Sequence, residues 1–80
     1  MDETSIKYEI VETYSEKPLD TKLTRNGPRY LQLKLVKWYG KPGVLDLRWW
    51  GEGLPDKGVT LTVKGAIALR DLLNSMNLEG

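Results

Sequence analysis

Two runs of apolar–polar alternation, set either side of a Gly/Pro turn, constrain this chain more than any other feature. Along Arg29-Tyr30-Leu31-Gln32-Leu33-Lys34-Leu35-Val36-Lys37-Trp38-Tyr39, the residues Leu31, Leu33 and Leu35 fall on one side, and Tyr30, Gln32, Lys34 and Trp38 on the other. Gly40-Lys41-Pro42-Gly43 follows, a composition that closes hairpins. Val44-Leu45-Asp46-Leu47-Arg48-Trp49-Trp50 then alternates again, with Leu45, Leu47 and Trp49 opposite Asp46, Arg48 and Trp50. A period of two belongs to strands, so the centre of the chain is a β-hairpin. One of its faces is leucine-rich and the other interleaves rings with cations.

The flanks extend this pattern. Residues 6–14 carry β-branched and aromatic side chains in loose alternation and read as a first strand. Ile6, Tyr8 and Ile10 share one face of it, Lys7 and Glu9 the other, and Val11 fits poorly. Ser15-Glu16-Lys17-Pro18 is a turn. Residues 19–28 commit to no element, and Asn26-Gly27-Pro28 is a breaker. Gly51 to Gly58 reads as an eight-residue exposed loop, and Gly58-Val59-Thr60-Leu61-Thr62 as a short last strand. Thr62 is placed to cap a helix from Val63 to about Met76, on which Ala66, Leu69, Leu73 and Met76 form a stripe beside Leu72. Ile67 and Ala68 lie off that stripe and offer a second apolar patch. The expected fold is α+β: a twisted four-stranded antiparallel sheet followed by one C-terminal helix. It is one domain over residues 1–80, in the order β-β-β-β-α, with residues 1–5 flexible.

Eighty residues allow one core, and a domain of this size buries only about 60% of its unfolded surface. The chain has no Cys and no His. Disulfides, thiolate metal sites and imidazole ligands are therefore excluded, and neither a metal nor a cofactor is expected. The commonest general base and the best neutral-pH nucleophile are missing too, and no phosphate-binding or nucleophile-elbow motif is present. An enzyme is not expected. Association with a second copy remains as the way to bury more apolar area, with Ile67, Leu69, Leu73 and Met76 as the expected contact. No apolar run nears the roughly 18 residues of a membrane span, and Met1-Asp2-Glu3-Thr4 lacks a signal peptide's basic start. A cytoplasmic protein without a membrane partner is expected. No set of polar anchors converges on a pocket, which argues against a small-molecule substrate.

The net charge of +1 hides an asymmetry. Residues 21–64 hold nine Lys/Arg against three Asp/Glu, a net +6, whereas the ends hold three against eight, a net −5. A basic centre that coincides with an aromatic face suits a single nucleic-acid strand. Bases stack on flat rings for about 1–3 kcal/mol each while cations neutralise phosphates. Two alternatives stand beside that reading. Trp38, Trp49 and Trp50 could be core residues of a chain that has no Phe, and the domain could be a protein-interaction module that ignores nucleic acid. Lys57 could close over a bound strand or be merely solvated, and the basic stretch Lys22, Arg25, Arg29 could extend the footprint.

These residues also resemble a known family. The run 29–35, Gly40-Lys41, the segment Asp46-Leu47-Arg48-Trp49-Trp50 and Lys57-Gly58-Val59-Thr60-Leu61, with an apolar helix after them, are similar to the single-stranded-DNA-binding domain of transcriptional positive cofactor 4. The similarity is closer to its small bacterial YdbC-like relatives, and it covers about residues 29–76. The resemblance implies a curved four-stranded sheet and a homodimer made by the helix and a sheet edge. It also implies single-stranded DNA, or RNA, held on the β-surfaces without base preference, in transcription, replication or repair, and a nucleoid-associated location in a bacterium. Carried over by position, it implies contacts at Lys41, Arg48 and Trp50, with Trp38 as a further aromatic and Lys34 and Arg29 as supporting phosphate contacts. Alternation puts Trp50 outward. Asp46 and Gly58 read as structural.

Overall fold

The computed structural model describes residues 7–79; the expected flexibility of residues 1–5 and the placing of Ile6 on the face of Tyr8 and Ile10 lie outside the described residues. The elements are β1 (Tyr8–Thr13), β2 (Asp20–Thr24), β3 (Gly27–Trp38), β4 (Val44–Gly51), β5 (Leu54–Leu61) and α1 (Val63–Ser75). The architecture is α+β, one antiparallel sheet with a single C-terminal helix, and the sheet has five strands rather than four.

The additional strand comes from the uncommitted segment. β2 pairs with the first half of β3, from Asp20 opposite Leu31 to Thr24 opposite Gly27, while β1 pairs with the second half, from Tyr8 opposite Trp38 to Thr13 opposite Lys34. The two short strands thus share one edge of the long β3, and the sheet remains four positions wide. Leu23 and Thr21 have too few apolar neighbours to signal a strand, and β3's open edge recruits them. Asn26-Gly27-Pro28 does not break the chain but turns it. Gly27 takes φ 110°, a conformation open to glycine, and β3 begins there. Val11, the misfit of the first strand, is the β-bulge between Ile10 and Glu12.

The second difference lies after β4. The stretch 51–58 is a two-residue hairpin rather than an eight-residue loop. Glu52 and Gly53 take φ 54° and 77°, both positive, as a type I′ turn requires. β5 starts at Leu54 and includes Pro55, which faces Trp50; as an edge strand it tolerates the missing N–H. The helix starts where expected, with the Thr62 hydroxyl accepting from the Gly65 N–H at 2.9 Å, and ends at Ser75.

Strand pairing confirms both faces of the central hairpin. Leu31, Leu33 and Leu35 oppose Trp49, Leu47 and Leu45, and Tyr30, Gln32 and Lys34 oppose Trp50, Arg48 and Asp46. The helix lies over the leucine face, where Ala66, Leu69 and Leu73 approach Leu33, Leu45, Leu47 and Leu61. That covering is thin: no helical residue is buried, and a cleft of about 370 Å³ remains between helix and sheet. The buried side chains stand instead on the opposite face. Val36 and Asp46 are fully buried, Trp50 is 4% exposed and Lys34 8%.

Curvature explains the inversion. Tyr8 opposes Trp38 and Trp50 opposes Tyr30, so the two tryptophans stand eight positions apart along β3. That spacing is about 26 Å in a flat sheet. Yet the Tyr8 ring lies 5.7 Å from Trp38 and 5.6 Å from Trp50, and its hydroxyl donates to the Gly53 carbonyl at 2.9 Å. The sheet therefore curls around the ring-bearing face. Side chains crowd together on this concave side and spread apart on the convex leucine side. No helix among the described residues is long and apolar enough to cross a membrane.

Candidate nucleic-acid interface

The concave face is built by four strands. β1 contributes Tyr8, β3 contributes Lys34 and Trp38, β4 contributes Asp46, Arg48 and Trp50, and β5 contributes Pro55 and Thr60. At its centre the Arg48 guanidinium is held on two sides. Nε and Nη2 donate to the two carboxylate oxygens of Asp46 at 2.8 and 2.9 Å, and Nη1 donates to the Asp56 carbonyl at 2.8 Å. Its Cζ lies 5.0 Å from the centre of the Trp38 ring. Positions two apart on a strand share a face, which is why Asp46 and Arg48 meet. The bidentate geometry is the strong form of this pair.

Close backbone approach makes the arrangement possible. Gly58 faces Arg48 across the β4–β5 ladder, and a Cβ on Gly58 would fall 2.5 Å from the Arg48 Cβ and 2.6 Å from its Cα. The structural reading of Gly58 holds for that reason. Trp38, Tyr39, Arg48, Pro55, Asp56 and Thr60 enclose an open cavity of about 300 Å³. Tyr39 reaches it from a turn in which Tyr39 and Gly40 both take positive φ and the Lys41 N–H donates to the Trp38 carbonyl at 2.9 Å.

The residues singled out in the sequence separate into three groups. Trp38 and Arg48 line the cavity, while Lys41 and Lys57 are exposed and adjoin its lining only along the chain, Lys41 following the Tyr39-Gly40 turn and Lys57 following Asp56 on β5. Trp50 and Lys34 stand on the same face but are buried. The Trp50 ring packs against Tyr8, and the Lys34 ammonium sits 4.9 Å above it and donates to the Thr13 hydroxyl at 3.1 Å. Burial holds the Lys34 pKa below its ordinary 10.5. The outward Trp50 expected from alternation is therefore corrected: it points to the expected face, and the curl of the sheet closes over it. Lys34 is likewise a buried residue rather than a surface cation.

Arg29 is the third case. As an odd-numbered residue of β3 it belongs to the leucine face, away from Arg48. Its Nε donates to the Asp56 carboxylate at 3.0 Å, and its side chain packs where a Cβ on Gly51 would stand. The hydrogen bond from Arg29 holds the Asp56 carboxyl below its ordinary 3.8. Trp49 also faces the convex side, half-buried beneath the Lys22 ammonium at 4.2 Å. On the helix, Ile67, Leu73 and Met76 are exposed and Leu69 is half-buried.

Tyr8 and Thr60 belong to this face without having been singled out for it, whereas alternation already places Asp46 there, as a structural residue. The Asp46–Arg48 pair was available from their spacing. The role of Tyr8 was not, because it depends on how far the sheet bends. The indole N–H groups of Trp38 and Trp50 are buried without a hydrogen-bond acceptor. No cluster of His, Cys, Asp and Glu among the described residues could hold a metal ion.

No family model matches this chain. It is 50% identical over 54 residues to an uncharacterised protein of Treponema pallidum (strain Nichols), an alignment covering 61% of this chain and 60% of that protein.

Proposed function

We propose that this chain binds single-stranded nucleic acid, DNA or RNA, as a homodimer and without catalysis, on the concave ring-bearing face. The observation that carries this reading is the union of Trp38, Tyr39 and Arg48 around one open cavity, with exposed lysines close in sequence to its lining, Lys41 two residues after Tyr39 and Lys57 next to Asp56. Flat groups for stacking next to cations for phosphates are the two elements that a sequence-tolerant strand-binding surface combines. The basic central segment and the resemblance to the positive cofactor 4 domain support the same reading. They favour a role in transcription, replication or repair and a cytoplasmic, nucleoid-associated location.

What the single chain leaves undone supports the homodimer. Val36 and Trp50 are the buried apolar residues among those described, and the leucine face is covered only in part. The radius of gyration is 14.3 Å, against roughly 11–12 Å for a compact chain of this length. A second copy placed on the helix and its cleft, at Ile67, Leu69, Leu73 and Met76, would complete that burial. The same cleft is what favours the alternative, a protein-interaction module.

Fluorescence anisotropy with a labelled oligo-dT of about 20 nucleotides, at low and moderate salt with tryptophan emission followed in parallel, separates the two. Salt-sensitive binding accompanied by tryptophan quenching supports the strand-binding reading. Absence of binding at low salt overturns it and leaves the interaction module.

A further inference from the structure

Arg48 is the residue most naturally assigned to a phosphate, and its surroundings contradict that assignment. Its positive charge is already matched by a carboxylate with no solvent exposure, through two hydrogen bonds of 2.8 and 2.9 Å. A third donor is taken by the Asp56 carbonyl. Of the five guanidinium N–H groups, one on Nη1 and one on Nη2 remain. A phosphate at Arg48 would approach the Asp46 carboxylate as well, and the pair as a whole carries no net charge.

What the pair does offer is a plane. The guanidinium is fixed over the Trp38 ring at 5.0 Å, and both groups form walls of the 300 Å³ cavity with Tyr39, Pro55 and Thr60. Bases stack on guanidinium planes as they do on aromatic rings, and their carbonyl and ring-nitrogen acceptors can take the remaining N–H groups. We infer that the cavity is a nucleobase pocket, that Arg48 contacts the base and not the phosphate, and that Asp46 is its positioning residue. This rests on the strand-binding reading and deepens it. Phosphate neutralisation falls to the exposed lysines, Lys41 foremost.

Two probes distinguish base from phosphate: the 20-nucleotide oligo-dT and an abasic sugar-phosphate chain of the same length. Arg48→Lys keeps the charge and removes the plane. It is expected to weaken oligo-dT binding roughly tenfold, to leave abasic binding unchanged, and to leave the slope of log affinity against log salt as it was. Because Arg48→Lys disturbs a buried pair, two further variants accompany it, each checked by far-UV circular dichroism. Asp46→Asn with Arg48→Gln replaces both partners by neutral polar side chains, and Thr60→Ile fills the cavity from an exposed edge-strand position. Both are expected to act on oligo-dT alone, with an unchanged slope. A slope flattened in the double variant by about 0.7, the share of one phosphate on a single strand, would overturn the inference, as would equal losses on the two probes. Those outcomes leave strand binding intact, whereas failure of the unaltered protein to bind either probe overturns both.

Discussion

At the residue scale, Lys34 illustrates how this face differs from an ordinary cationic surface. Its ammonium is nearly enclosed, with the Thr13 hydroxyl and the Trp50 ring for company. Burial lowers its pKa in the folded state, so just below pH 10.5 the unfolded chain binds more protons than the folded one. Stability therefore contains a component that rises as pH climbs towards 10.5. Lys34→Met should remove that component, and urea midpoints of parent and variant across the alkaline range should converge as pH increases. Asp56 gives the same sign of pH dependence for the opposite reason, because folding favours its charged form. The stability contributed by its depressed pKa is present above 3.8 and is lost as pH falls below it. Gly58 offers a steric test at the same scale. Gly58→Ala presses a methyl group on the Arg48 backbone, which cannot yield as a side-chain tip would. It should cost about 1–3 kcal/mol in urea unfolding.

The elements differ in how they are held. β3 is bonded on both sides along much of its length, whereas α1 touches the sheet along one incomplete seam. A helix with no buried residue depends on its ends more than a packed one does. Thr62→Ala deletes the N-cap acceptor and should cost about 1 kcal/mol, visible as lost ellipticity at 222 nm before the sheet melts. The turns were easier to misread than the strands. Pro55 and the glycines around it signal a loop in any linear reading, because the cost of proline in a strand depends on whether its nitrogen faces a neighbour. On an edge strand the nitrogen can face solvent. The left-handed Glu52-Gly53 pair then closes β4 onto β5 in two residues.

For the whole molecule, the question is what covers the convex face. If a second copy does, the urea midpoint should rise with protein concentration, as mass action requires. Sedimentation equilibrium should then report twice the chain mass. Leu73→Glu puts a charge into the cleft between helix and sheet and should yield a monomer whose midpoint no longer depends on concentration. Lys41→Ala belongs at this scale too, because counterion release is a property of the whole footprint. It should flatten the salt slope for oligo-dT by about 0.7 while moderate-salt affinity changes little, measured by anisotropy titrations.

Period-two alternation alone determined the central hairpin, the separation of the leucines from the ring-and-cation side, and the placing of Arg48 and Trp38 on one face. Local chemistry determined the Thr62 cap and the start of the helix. These are short-range properties: a side chain's face on a strand depends only on parity, and a cap only on the next three residues. Tertiary structure decided the rest. The bend of β3 and β4 turned the supposedly open face into the enclosed one, buried Trp50 and Lys34, and brought Tyr8 from β1 across to both tryptophans. The free edge of β3 recruited β2 from a segment with no strand signal of its own. Curvature and edge pairing sum small twists and hydrogen bonds between residues far apart in the chain, so no window of sequence contains them.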